Sequence, residues 1–219
     1  MEPLFYVFMS IFAAVVIAHL CFILFKVKLG ADITKGFLMP LLLATLLAAG
    51  LRNGWIITGL VFATLGDLAL LGQKKKEFFY LGIGLFSIMN ICYTVTLFSH
   101  LLVDVSLWTY TLLLLLIVII VIVSGAFIFP RYAKKAAFIM ASYMGLLLVN
   151  LLFNGVYLIK VGTLPSIMLF IGSILFLTSD SMIGYDRFIA PLSYNRFFVM
   201  LTYISAQILL GLGFLYALM

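Results

Sequence analysis

The chain has 219 residues, 66% hydrophobic and only 9% charged, with a formal net charge of +6. Soluble domains carry about 25% charged residues, so the composition excludes an ordinary globular protein. It also makes the positive charge a matter of membrane orientation rather than of nucleic-acid binding. Bilayer hydrocarbon leaves backbone groups no water to bond, which restricts spanning structure to helices or closed barrels. Continuous apolar runs such as 112–123 lack the alternation of barrel strands. The fold expected is therefore all-α: a polytopic membrane helix bundle forming a single transmembrane domain over 1–219.

At about 20 residues per crossing, the chain divides into eight expected spans. The first, 3–25, carries His19 and Cys21. It is not read as a signal peptide, because it lacks a basic leading segment and a small-residue cleavage site. The segment KVKLGADITK leads to the second, 36–52, with Lys35 at its mouth. RNG precedes the third, 54–72, which holds Asp67 within VFATLGDLALLG. GQKKKE precedes the fourth, 77–99, with Asn90, Cys92 and Tyr93; His100 stands at its far end. SHLLVD opens onto the fifth, 103–129, and FPRYAKK onto the sixth, 135–158, with Asn150 and Asn154. KVGTLP leads to the seventh, 165–185, carrying Ser179 and Asp180 in ILFLTSDSMIG. DRFIAPLSYNR leads to the eighth, 195–218, with Tyr203 and Gln207. Cys21 and Cys92 lack metal-ligand spacing and are read as packing residues.

Lys and Arg fix the expected orientation. Eleven of the 13 fall in alternate loops, and only Arg52 and Lys160 fall on the other side. By the positive-inside rule the basic loops are cytoplasmic and both termini lie outside. The expected location is a bacterial cytoplasmic membrane.

Two acidic residues stand out. An ionised carboxylate at the helix centre costs roughly 2.5–3.5 kcal/mol on insertion scales, so intramembrane acids face the bundle interior and tend to be functional. Asp67 precedes Lys74 by seven positions, Asp180 precedes Arg187 by seven, and His19 precedes Lys26 by seven. At 1.5 Å per residue each lies roughly 10 Å inside its span. Lys35 is read either as a site residue or as a lysine snorkelling to water. Asn90, Tyr93, Asn150, Asn154, Tyr203 and Gln207 are polar groups that can also serve as interhelical glue. The third and seventh spans, four apart, leave room for a four-plus-four repeat. Zinc-protease, serine-hydrolase and phosphate-loop motifs are absent, and two histidines and two cysteines are too few for a metal cluster. No cofactor or metal is expected, and carboxylate chemistry is what remains.

Four patches resemble the YhhN-type lysoplasmalogenase family of eight-span membrane proteins. They are FATLGDLALLG, the aromatic fourth span FFYLGIGLFSIMNICYTVTLF, LFLTSDSMIGYDRF, and FFVMLTYISAQILLG. The chain departs from the family pattern where Asn90 replaces a His before Tyr93, and where Lys35-Gly36 replaces a Lys-Pro element. The resemblance implies hydrolysis of the vinyl ether bond of a lysophospholipid substrate, a lysoplasmalogen, to a fatty aldehyde and a glycerophospho-alcohol. It places Asp67 and Asp180 as the acid and base, in either order, with Lys35, Asn90, Tyr93, Ser179, Tyr203 and Gln207 binding or supporting; His19 joins the supporting set by its depth alone. The lysolipid would enter from the bilayer with its phosphate near Lys35 or the lysine clusters, and no protein partner is implied. A proton-coupled transporter and a lysolipid-binding protein without turnover are the competing classes.

Overall fold

The computed structural model describes residues 3–101, 134–188 and 195–219, with isolated positions at 106, 111 and 115. Among these residues there is no strand, and seven helices are long and apolar enough to cross a membrane. They are α1 (Pro3–Leu24), α2 (Lys28–Ala48), α3 (Gly54–Leu71), α4 (Lys76–Thr96), α5 (Lys134–Val161), α6 (Leu164–Phe188) and α7 (Asn195–Ala217). A π-helical turn, Leu97–Leu101, continues α4. This is the polytopic bundle that the composition demands.

The turns follow from backbone chemistry. α1 and α2 both end in a residue with left-handed φ, Lys26 at 59° and Gly50 at 104°. In each case the next N–H reaches back five residues, Val27 to the Phe22 carbonyl and Leu51 to the Leu46 carbonyl. That is the Schellman closure, which satisfies carbonyls a helix end leaves open. Asn53 caps α3 by accepting from the Ile56 N–H at 3.1 Å.

α2 begins at Lys28, well before the expected position 36. Lys28, Asp32 and Lys35 recur at i, i+4 and i+7, so they stack on one helix face. A hydropathy reading takes such a stripe for a loop, whereas here it is the polar face of a helix turned toward a cavity.

α1–α2, α2–α3, α3–α4, α5–α6 and α6–α7 are neighbouring pairs. α4 and α5 run parallel: Thr94 meets Asn150, and Phe98 meets Phe153 one turn further on. The chain therefore leaves α4 at one end of the bundle and enters α5 at the other. The expected 103–129 span would bridge that distance, but it lies outside the described residues, and with it part of any four-plus-four repeat. α7 is central. It packs on α1, α2 and α6, and its side chains reach α3 through Tyr203 and α4 through Gln207.

In lipid, helices associate through close packing more than through the hydrophobic effect. α6 and α7 approach closely at Gly172, where an added Cβ would lie 3.1 Å from the Leu210 nitrogen and 3.2 Å from the Ala206 oxygen. Leu38, Met39, Leu60, Met89, Leu169 and Phe214 fill the fully buried core.

Candidate active site

Asp67 on α3 and Asp180 on α6 line one cavity of about 540 Å³ at the lysine-rich end of the bundle, together with Lys35, Ser179 and Tyr203. Both carboxyls are buried, 3% and 8% exposed. Helix geometry puts them there: Asp67 follows Gly66, whose missing side chain makes room for the Phe86 ring, 2.9 Å from where a Cβ would stand. Phe86, Phe176 and Tyr203 form an aromatic trio with centroids 5.9–6.1 Å apart. Phe176 lies one turn deeper than Asp180 on α6, so the trio closes the cavity toward the bundle centre.

The two aspartates have unlike partners. Oδ1 of Asp67 faces the Lys35 ammonium at 3.5 Å, and its Oδ2 accepts from the Tyr203 hydroxyl at 2.8 Å. Both oxygens therefore meet a donor, the arrangement suited to an ionised, acceptor-only carboxylate. Asp180 accepts from the Tyr143 hydroxyl through Oδ2. Among the described residues its Oδ1 meets no donor, so that oxygen can carry a proton.

Of the residues expected from sequence, Lys35, Asp67, Ser179, Asp180 and Tyr203 are brought together. Ser179 spends its proton on the Val199 carbonyl, 3.1 Å away on α7, and so ties α6 to α7 beside the site. Asn90, Tyr93 and Gln207 form a separate, deeper layer off the cavity wall. Tyr93 donates to Gln207 Oε1 at 3.1 Å, Gln207 Nε2 lies 3.2 Å from the Met89 sulfur, and Asn90 donates to the Phe86 carbonyl at 3.0 Å. His19 shares the depth of the aspartates but not their place. It is buried between α1 and α2, with Nδ1 2.8 Å from the Thr34 hydroxyl. That hydroxyl donates to the Gly30 carbonyl, so it accepts from Nδ1–H, and His19 Nε2 has no hydrogen-bond partner among the described residues.

Sequence reasoning missed Tyr143, which lies eight residues into α5 from Lys135 and so matches the aspartates in depth. It also missed the ion pair between Arg196 and Asp32, 2.7 Å long, which joins α7 to α2 at the cavity mouth. No group of His, Cys, Asp and Glu fit to hold a metal occurs among the described residues.

These features define a class: a polytopic helical membrane protein with a buried aspartate pair in a cavity at one end of the bundle. More particularly, the chain belongs to the YhhN family, whose model matches residues 30–214. The match takes in both aspartates, Lys35, Tyr143 and Tyr203, and leaves His19 outside. No curated protein and no solved structure matches the chain.

Proposed function

We propose that this protein is a membrane-embedded hydrolase that cleaves the vinyl ether bond of lysoplasmalogen-type lysolipids, giving a fatty aldehyde and a glycerophospho-alcohol. The observation that carries the reading is the unequal donor set of the two aspartates. Vinyl ether hydrolysis needs one group to give a proton to carbon and another to take one from water. Asp180, with one oxygen that meets no donor among the described residues, is the acid; Asp67, held by Lys35 and Tyr203, is the carboxylate.

The steps balance. Asp180 protonates the β-carbon of the vinyl ether, and the C=C electron pair forms the new C–H bond, leaving an oxocarbenium ion beside the Asp67 carboxylate. Water adds to the cationic carbon as Asp67 takes its proton. The hemiacetal then collapses: its hydroxyl proton passes to Asp180, the C–O bond breaks, and Asp67 returns its proton to the departing alcohol oxygen. Both aspartates end as they began, and one water is consumed. General acid–base help of this kind contributes about 10²–10⁴-fold.

The test is aldehyde release by detergent-purified protein from a lysoplasmalogen, with ester-linked and saturated-ether lysolipids as controls. D67N and D180N should each lose about 10²-fold or more while remaining folded. Substantial turnover in either variant removes that aspartate from the mechanism.

A second reading, a proton-coupled carrier, draws on the deeper polar layer. Asn90, Thr94, Asn150 and Asn154 bond in series between α4 and α5, beyond the carboxylates. Gradient-dependent uptake into proteoliposomes, without aldehyde release, would favour it.

A further inference from the structure

The cavity mouth holds more cations than its acids can neutralise. Lys35 faces Asp67 and Arg196 faces Asp32. Lys28, Lys74 and Lys75 also line the cavity, and among the described residues none of them has an ion-pair partner. On α2, Lys28 lies seven residues before Lys35 on the same face, roughly 10 Å nearer the helix end. Lys35 contacts Asp67, so the Lys28 backbone stands about two turns above that carboxylate, and Lys74 follows Asp67 by seven residues, just past the end of α3.

That separation matches a covalent one. In a lysolipid with a glycerophosphate head, the vinyl β-carbon and the phosphorus are joined by about seven bonds, roughly 9 Å at ordinary bond lengths. We propose that Lys28, Lys74 and Lys75 form a phosphate-binding collar that fixes how deep the lysolipid enters and so brings its vinyl ether to the aspartates. The identity of the ligand rests on the hydrolase reading; the collar itself rests on the lysines and the cavity. Lys35, engaged by Asp67, takes no part in holding the phosphate.

The collar reads phosphate charge and not the head-group amine. Asp32, the acid lining the mouth, is already engaged by Arg196, so among the described residues lining the cavity no free carboxylate stands at the mouth to select an ammonium. Affinity should therefore rise from a phosphate-free alkylglycerol, through phosphoethanolamine and phosphocholine forms of similar strength, to a phosphate monoester with its greater negative charge.

The experiment uses the full chain carrying D180N, in phosphatidylcholine nanodiscs, with saturated-ether ligands that cannot be cleaved. Calorimetric titration compares alkylglycerol, alkylglycerophosphocholine and alkylglycerol-3-phosphate, with and without K28Q/K74Q/K75Q. The three neutralisations should weaken both phosphate ligands by about tenfold, compounding the usual strength of exposed ion pairs, and leave alkylglycerol within about twofold. Arginine at the same positions should keep the phosphate preference. Equal weakening of all three ligands, or of none, overturns the collar.

Phosphatidylglycerol added to the nanodiscs separates the two sources of phosphate. If it abolishes the lysine dependence, the lysines hold bilayer headgroups and the depth-setting role falls; if the dependence persists, the role stands. Wild-type aldehyde release is scored separately. Lysine-dependent binding without aldehyde sinks the hydrolase reading and keeps the collar. Equal cleavage of alkenylglycerol and its phosphate ester keeps the hydrolase and sinks the collar.

Discussion

At the residue scale, the assignment of roles makes the two tyrosines unequal. Tyr203 donates to Asp67, the carboxylate proposed to stay ionised, and hydrogen bonds to charged groups contribute about 1.5–3 kcal/mol against about 1 for neutral ones. Y203F should therefore lower the turnover number by roughly 10- to 100-fold, and Y143F by less than about tenfold. Aldehyde kinetics on the two variants decide the matter, and the reverse order would exchange the roles of Asp67 and Asp180. Lys35 is the counterpart. K35M leaves the buried Asp67 carboxylate without its cation, a change that costs about 3–5 kcal/mol in buried pairs. Adding D67N should restore thermal stability in detergent without restoring activity. Failure of the double variant to recover would mean that Lys35 supports the fold by packing, not by charge.

Much of the site was legible in one regularity. Asp67, Asp180, Lys35 and Tyr203 each lie seven residues from a basic residue at the same end, namely Lys74, Arg187, Lys28 and Arg196. Equal distance from that end means equal depth, and Tyr143 follows at eight from Lys135. Depth is a local quantity and can be read along one helix. Lateral position cannot, because it depends on which face each helix turns inward and on which helices are neighbours. His19 satisfies the depth rule and still ends between α1 and α2. Gln207 and Tyr93 carry site-like chemistry and still pair with each other one layer deeper.

At the scale of elements, the least legible boundary was the start of α2. Its first two turns are polar because they face the cavity, and composition read with lipid as the only solvent assigns them to a loop. The turn before α2 makes a separate prediction. Lys26 adopts a left-handed φ of 59°, which costs an L-residue roughly 1–2 kcal/mol. K26G should raise the melting temperature in detergent, since glycine is the residue most used at such closures. No change would show that the greater conformational freedom of glycine in the unfolded chain offsets the strain relieved at this turn. The α6–α7 contact works in the opposite direction. At Gly172 the Leu210 side chain is nearest, and behind it the Leu210 nitrogen and Ala206 oxygen are backbone atoms that cannot give, so G172A should destabilise by about 1–3 kcal/mol. Gly84 has nothing within 4 Å of its would-be Cβ, and G84A should fall within about 0.5 kcal/mol of wild type. Equal melting temperatures for these two variants would refute close α6–α7 packing as a source of stability.

For the whole molecule, the cavity lies at the end of the bundle that carries the lysines. α1 and α7 meet it through Leu24 and Asn195, so their other ends, Pro3 and Ala217, lie together at the opposite end. By the positive-inside rule the excess of Lys and Arg is expected to turn the basic loops toward the cytoplasm, and on the proposed reading a site about 10 Å below that surface would meet lipids of the cytoplasmic leaflet. The arrangement predicts that reporters fused to either terminus act outside the membrane, and that a tag inserted beside Gln73 is reached only after permeabilisation. It also predicts that inside-out vesicles cleave added lysoplasmalogen at once, while right-side-out vesicles show a lag set by lipid flip across the bilayer. Immediate cleavage by right-side-out vesicles, with the termini still outside, would mean that substrate reaches the aspartates from the far leaflet. The lysine-lined mouth would then be the exit for product and not the entrance.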